Sequence, residues 1–284
     1  MQQPSDRAAT ATAGVSRALT PVATVVTALA ASLLLLFLVA PLLGLVGAGG
    51  WGGLRRLFVD PELRAALGLT LATATTATFL GVLGGAPIAY LLARRTFRGS
   101  ALLAAVIDLP LLVPHPVAGI ALLLVLGRGS AFGEALYSLG LRITGTATGI
   151  ICAMLFVSVP LFVSAARETF VRVDRRYESV ARTLGDNGWR AFRRVTLPLA
   201  GRGLTAAAVV MWARAVSEFG AIVVITYHPR VASVLSYDRF TSFGLDEALP
   251  VAAVLVLLAL VPLALLRALR HAADRDELAA RLEQ

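Results

Sequence analysis

From Val22 to Val46 the chain reads VATVVTALAASLLLLFLVAPLLGLV, without a charged side chain. About 18 or more apolar residues in a row are long enough to cross a bilayer as a helix. A cleaved signal peptide has a shorter core, about 7–15 residues, so this run reads as a retained first span. The pattern recurs further along. A second span lies between Arg64 and Arg94, and a third runs from Ala101 to Gly127. A fourth lies between Arg142 and Arg167, a fifth runs from Gly203 to Tyr227, and a sixth lies between Glu247 and Arg267. The expected fold is therefore all-α and integral to the membrane, with six transmembrane helices and a long loop between helices 4 and 5. A tail at 1–21, a six-span unit at 22–270 and a second tail at 271–284 complete the expected organisation.

Composition supports a membrane solvent. Of 284 residues, 57% are hydrophobic and 15% charged, against roughly 25% charged in soluble domains. The net charge is +9, and all 26 basic residues are Arg. In a soluble protein that balance would suggest nucleic acid. Here the membrane accounts for it, because cytoplasmic loops collect basic residues. With the N-terminus inside, the inner segments hold 18 Arg and the outer segments seven. The outer ones are Arg55, Arg56, Arg64, Arg128, Arg142, Arg230 and Arg239. Both termini are thus expected in the cytoplasm, lipid is an expected partner, and nucleic acid is not.

Several chemistries are disfavoured. Cys152 is a single cysteine inside an apolar run, which offers neither an internal disulfide nor a metal site. His115, His228 and His271 stand apart, and none belongs to an HExxH pattern. An intramembrane enzyme would need a nucleophile–base pair or a metal cluster, and the spans show neither. No catalytic residue, metal or bound cofactor is expected.

The loop between the fourth and fifth spans carries nine Arg between Arg167 and Arg202. Gly185, followed by Asp186 and Asn187, reads as a helix stop and a new N-cap. Two short helices with a bend at Gly185 follow from this. Trp189 and Phe192 are three apart and share a face of the second helix. The same pattern would suit a basic helix lying on lipid headgroups.

Tyr177-Glu-Ser-Val-Ala-Arg-Thr-Leu-Gly-Asp-Asn-Gly-Trp-Arg-Ala-Phe-Arg-Arg-Val-Thr-Leu-Pro198 resembles the signature loop of binding-protein-dependent ABC importer permeases. In that family a Glu-Ala-Ala triplet precedes a Gly, and nine residues later come an aliphatic residue, any residue, and Leu-Pro. Gly185 is followed by nine residues and then Val195, Thr196, Leu197 and Pro198. Aligned on Gly185, the family's Glu falls on Ser179, with Val180 and Ala181 at the Ala positions, so Glu178 sits one residue early. The resemblance implies an ATPase-coupling loop made by Ser179, Val180, Ala181, Gly185, Trp189, Val195, Leu197 and Pro198. It implies a plasma-membrane permease of a prokaryote that pairs with a second copy of itself. It implies further partners: a cytoplasmic ABC ATPase dimer holding ATP and Mg, and an extracytoplasmic oxyanion-binding protein. A Walker A loop needs Lys, and this chain has none, so a separate subunit must hydrolyse ATP.

Two further stretches narrow the resemblance, which covers residues 65–265. Leu109-Pro-Leu-Leu-Val-Pro-His-Pro-Val-Ala-Gly-Ile120 is similar to the third span of molybdate, tungstate and sulfate permeases. Ser217-Glu-Phe-Gly-Ala221, Tyr227-His-Pro229 and Tyr237-Asp-Arg-Phe-Thr-Ser-Phe-Gly244 resemble their fifth span and the loop after it. Molybdate or tungstate is the implied cargo, with sulfate or thiosulfate as the alternative. Pro110, Pro114 and Pro116 break the third span by removing backbone donors. Pro114, His115, Pro116, Arg214, Ser217 and Glu218 are the residues expected at a path or gate. Arg214 and Glu218, four apart, can meet on one helix face and neutralise each other, as a structural ion pair or as part of the path.

Overall fold

A computed structural model of the chain describes residues 21–282. The expected N-terminal tail, apart from Pro21, lies outside the described residues, as do Glu283 and Gln284. The chain divides into two compact units, Met1–Gly44 and Leu45–Gln284. In the first, the described residues are helical from Pro21 onward. Its large side chains between Val25 and Leu43 are exposed. A helix that is apolar on every side and uncovered by protein matches a lipid environment.

Helices make up most of the described chain, with no strand among those residues. In order they are α1 (Pro21–Val59), α2 (Pro61–Arg94), α3 (Ser100–Leu112), α4 (His115–Leu126), α5 (Ala131–Ser138) and α6 (Ala147–Arg172). Then come α7 (Arg175–Thr183), α8 (Gly188–Ala191), a π-helical turn (Phe192–Thr196) and α9 (Leu197–Val216). The chain continues with α10 (Gly220–Ile225), α11 (Ala232–Phe243) and α12 (Leu245–Leu282). Among the described residues, five helical stretches are long and apolar enough to cross a bilayer, and the bent α3–α4 pair raises this to six if counted as one span.

Three expected spans take a different form. The first helix does not stop near Val46 but runs to Val59. The third is two helices bent by 115°, sharper than an ordinary proline kink. Val113 is extended at that corner, and Pro116 lies in the first turn of α4, where a missing N–H costs nothing. The fifth begins earlier, at Leu197, and breaks after Val216.

The core of the larger unit is made by α2, α6 and α9. The buried face of α2 is lined with small residues, including Ala66, Thr70, Ala74, Ala77, Gly81, Gly85 and Ala89. Between membrane helices, small side chains allow backbones to approach closely. Gly81 shows how closely: a Cβ there would lie 2.1 Å from Met211 Cε of α9. At Gly85 it would lie 2.9 Å from Phe162 of α6. The buried hydroxyls on this face donate within their own helix, Thr70 to Ala66 O and Thr73 to Leu69 O, both at 2.7 Å.

Candidate functional site: a broken span and a tied loop

Where α9 ends, a cluster forms around Glu218. Its side chain is 1% exposed, deeply buried for a carboxylate. Burial of an unpaired charge would be costly, so each oxygen takes a partner. Arg214 Nη2 donates to Glu218 Oε2 at 2.7 Å, and the Ala221 N–H donates to Oε1 at 2.8 Å. The second bond bridges the break. The carboxylate satisfies an orphan N–H at the start of α10 and stands in for the continuous ladder. On the main chain, Ser233 Oγ donates to Glu218 O at 2.7 Å and fastens the break to α11.

His115, at the first turn of α4, lies across from this pair. Arg214 Nη2 is 2.9 Å from His115 Nε2, and His115 Nδ1 is 3.6 Å from Glu218 Oε2. The approach depends on glycines. A Cβ at Gly220 would lie 2.7 Å from His115 Cβ, and one at Gly119 would lie 2.7 Å from Ala221 O. Ser217 Oγ donates to Arg214 O at 3.1 Å and accepts a long bond of 3.4 Å from Arg214 Nη1. Thus His115, Pro116, Arg214, Ser217 and Glu218 converge, with Pro114 as the residue preceding α4. His115 and Arg214 remain partly exposed while Glu218 does not, so the cluster presents its positive side outward.

The sequence reading missed Asp108 in α3. It accepts a hydrogen bond from Ser164 Oγ of α6 at 3.0 Å. A lone acidic residue within a span is itself a signal for function, and that signal was available in the sequence.

The loop after α6 is built around a second carboxylate. Glu178 Oε1 accepts from Thr196 Oγ1 at 2.6 Å and from Arg94 Nε at 3.0 Å, and Oε2 accepts from Tyr90 OH at 3.1 Å. Arg94 also donates to Val173 O at 2.9 Å, and Arg175 donates to Ala93 O at 2.8 Å. These bonds hold α7 to the foot of α2 and to the π turn below α9. Ser179, one residue on, is exposed and donates only to Arg175 O of its own helix, at 3.2 Å. The carboxylate in this loop therefore faces the spans.

Gly185 closes α7 with φ +98°. The Asp186 N–H donates to Ala181 O and the Gly185 N–H to Arg182 O, both at 3.1 Å, a Schellman cap. Asn187 then caps α8 by accepting from the Arg190 N–H at 2.9 Å. The expected bend and the two caps are present. The second short helix, however, runs through the π turn directly into α9, so Val195, Leu197 and Pro198 form the foot of the fifth span. Trp189 and Phe192 stack with centroids 5.6 Å apart. Phe192 also meets Tyr90 at 4.7 Å, which carries the contact into α2. Tyr177, Val180, Leu184 and Trp189 are left exposed, with Ala181 buried beneath them.

At the other end of α2, acidic and basic groups are paired. Arg239 Nη2 meets Asp60 Oδ2 at 2.6 Å and Glu62 Oε2 at 3.1 Å. Arg230 meets Glu62 at 3.0 Å and Asp238 at 2.7 Å, while Tyr227 OH donates to Asp238.

Residues 81–276 match the family described as the binding-protein-dependent transport system inner membrane component. The molybdate/tungstate transport system permease protein WtpB of Pyrococcus furiosus is 42% identical over 214 residues, covering 75% of this chain and 81% of that one. The sulfate transport system permease protein CysT of Escherichia coli is 31% identical over 228 residues, covering 78% and 82%. Among solved structures, a bacterial ABC transporter that imports the acidic polysaccharide alginate matches with a TM-score of 0.68 at 17% identity, over 89% of this chain and 95% of that one.

Proposed function

Because this chain belongs to the family of binding-protein-dependent transport system inner membrane components and is the permease of an ABC importer, we propose that its cargo is molybdate or tungstate. The observation that carries this reading is the cluster at the broken fifth span. Arg214 there is anchored by Glu218 yet keeps a partly exposed face beside His115 and Ser217. A half-neutralised cation attracts an oxyanion without holding it, as passage requires. The names of the relatives at 42% and 31% identity favour molybdate/tungstate over sulfate, which is the second reading.

The assembly in this proposal contains two copies of the chain, a pair of cytoplasmic ATPase subunits that bind ATP and Mg, and an extracytoplasmic protein that delivers the anion. Both termini lie in the cytoplasm. The apolar knob formed by Tyr177, Val180, Leu184 and Trp189 is the face offered to the ATPase, and the Glu178 bonds pass its displacement to α2 and α9. Uptake by proteoliposomes containing the assembled transporter tests the cargo. Tungstate should accumulate with ATP, and unlabelled molybdate should compete better than sulfate. Preferential competition by sulfate would overturn the assignment in favour of the second reading.

A further inference from the structure

Resting on the oxyanion reading above, we propose that Arg128 and Arg142 form an outer station for the transported anion. The guanidinium carbon of Arg128 lies 4.1 Å from the centre of the Tyr137 ring, and that of Arg142 lies 5.6 Å from the same centre. The two cations are therefore within about 10 Å of each other, gathered around one aromatic ring. Like charges brought together repel unless a counter-charge sits near them. Beside them is a cavity of about 280 Å³, lined by Arg128, Tyr137, Arg142, Thr144 and Thr146 among others, and no Asp or Glu lines it.

The contrast with the neighbouring loop is informative. The Gly145 N–H donates to Ile225 O at 3.4 Å, which sets this cavity beside the loop leading to Arg230. Arg230 of that loop, Arg239 of α11 and Arg56 of α1 each have a carboxylate partner. No ion pair joins Arg128 or Arg142 to an acid among the described residues, and the acid of the intervening helix, Glu134, does not line the cavity. Two guanidinium groups offer planar forks of N–H donors, a geometry suited to the oxygens of a tetrahedral dianion. A water molecule takes about 30 Å³, so the space admits an oxyanion with part of its hydration shell.

Position gives the site its role. Leu126, at the end of α4, lines the cavity, and His115 begins the same helix. That helix rises about 16 Å between them. One rigid element thus joins the outer arginines to the His115–Arg214 cluster. Both outer guanidinium groups are exposed, so their pull on an anion is screened by salt. A weak, screened station collects an anion and releases it inward.

The test uses the chain with its ATPase in lipid nanodiscs, without the delivery protein, and sodium tungstate as the probe. Bound tungstate is measured by equilibrium dialysis at low and high salt. Arg128→Gln with Arg142→Gln should weaken the salt-sensitive binding about tenfold, the scale of one lost charge-assisted contact. Arg128→Lys with Arg142→Lys should keep part of it. Should the Gln pair fail to assemble, Tyr137→Leu, which removes the shared ring and keeps both charges, should give the same loss. Unchanged tungstate binding in an assembled Gln pair would overturn the proposal. So would unchanged tungstate binding together with weaker docking of the empty delivery protein, which would assign the arginines to a protein carboxylate. A wild-type transporter that neither binds nor imports tungstate would instead sink the underlying cargo assignment.

Discussion

Glu218 and Glu178 are two carboxylates with similar bond counts and opposite reach. Glu218 bonds within its own stretch of chain, to Arg214 four residues before it and to the Ala221 N–H three residues after it. Glu178 bonds to Tyr90 and Arg94 of α2 and to Thr196 below α9, across 88, 84 and 18 residues. The first makes a break in a span tolerable. The second makes a loop part of the spans. A local carboxylate sets the shape of the path, and a long-range one ties that path to a surface that a motor subunit can move.

The largest effect should come from the local one. Glu218→Ala would leave Arg214 without its acid and the Ala221 N–H without an acceptor. Breaking a buried ion pair by removing one partner costs about 3–5 kcal/mol. The purified chain should lose thermal stability and yield accordingly, whereas Glu218→Gln, which can still accept from the N–H, should lose less. Equal stability of Glu218→Ala and the wild type in a thermal unfolding assay would show that the break is held by other contacts.

Glu178→Ala should come next, with a different signature. Hydrogen bonds to charged groups contribute about 1.5–3 kcal/mol each in context, and here they join separate elements. We expect the ATPase to co-purify and ATP hydrolysis to continue, while uptake per ATP falls. If uptake and hydrolysis fall in proportion, the carboxylate supports folding only and the tie has no part in coupling.

Gly185→Val acts on the loop without touching either carboxylate. Non-glycine residues in left-handed backbone cost roughly 1–2 kcal/mol, and a β-branched one is among the worst suited. Nothing lies within 4 Å of a Cβ at this position, so the cost is in the backbone. The knob carried by Leu184 and Trp189 should shift and ATPase co-purification should drop. Retained co-purification would mean that docking does not depend on the bend.

These outcomes bear on what was legible in the sequence. The spans were legible because apolar runs are one-dimensional signals. Gly185 with Asn187 was legible because caps have local chemistry. The four-residue spacing of Arg214 and Glu218 predicted their pairing, and the structure shows it at 2.7 Å. What was missed needs distance in space. Nothing near Glu178 announces Tyr90 or Arg94, so the sequence showed only a carboxylate one residue early. The helix break after Val216 was hidden for a related reason: the residues from Gly203 to Tyr227 are apolar enough to read as one span, and the contacts at the break, Glu218 with the Ala221 N–H and Ser233 with Glu218 O, are made in space. The 115° corner between α3 and α4 exceeded expectation because three prolines predict disruption, not its angle.

The smallest effect concerns the paired end of α2, and it is a pH effect of definite sign. Burial alone would raise the Asp60 carboxyl, but the Leu63 N–H, the Arg239 guanidinium and the Glu62 N–H outweigh it and hold the group below the ordinary carboxylate range. Arg239 is raised by the same acids, against the lowering effect of its own burial, and stays charged throughout. A depressed carboxyl stabilises the folded state above its unfolded value, about 3.9, and that contribution is lost as pH falls through the folded value. Asp60→Asn keeps an N-cap for α2 and removes the charge, so it isolates the ion pair. Wild type should therefore be the more heat-stable of the two by a small, constant margin from neutral pH to about pH 4, with the margin closing below that. A margin that persists well into the acid range would locate the contribution in the cap geometry. No margin at neutral pH would mean that Arg239 gains as much from Glu62 alone, at 3.1 Å, as it does from both acids together.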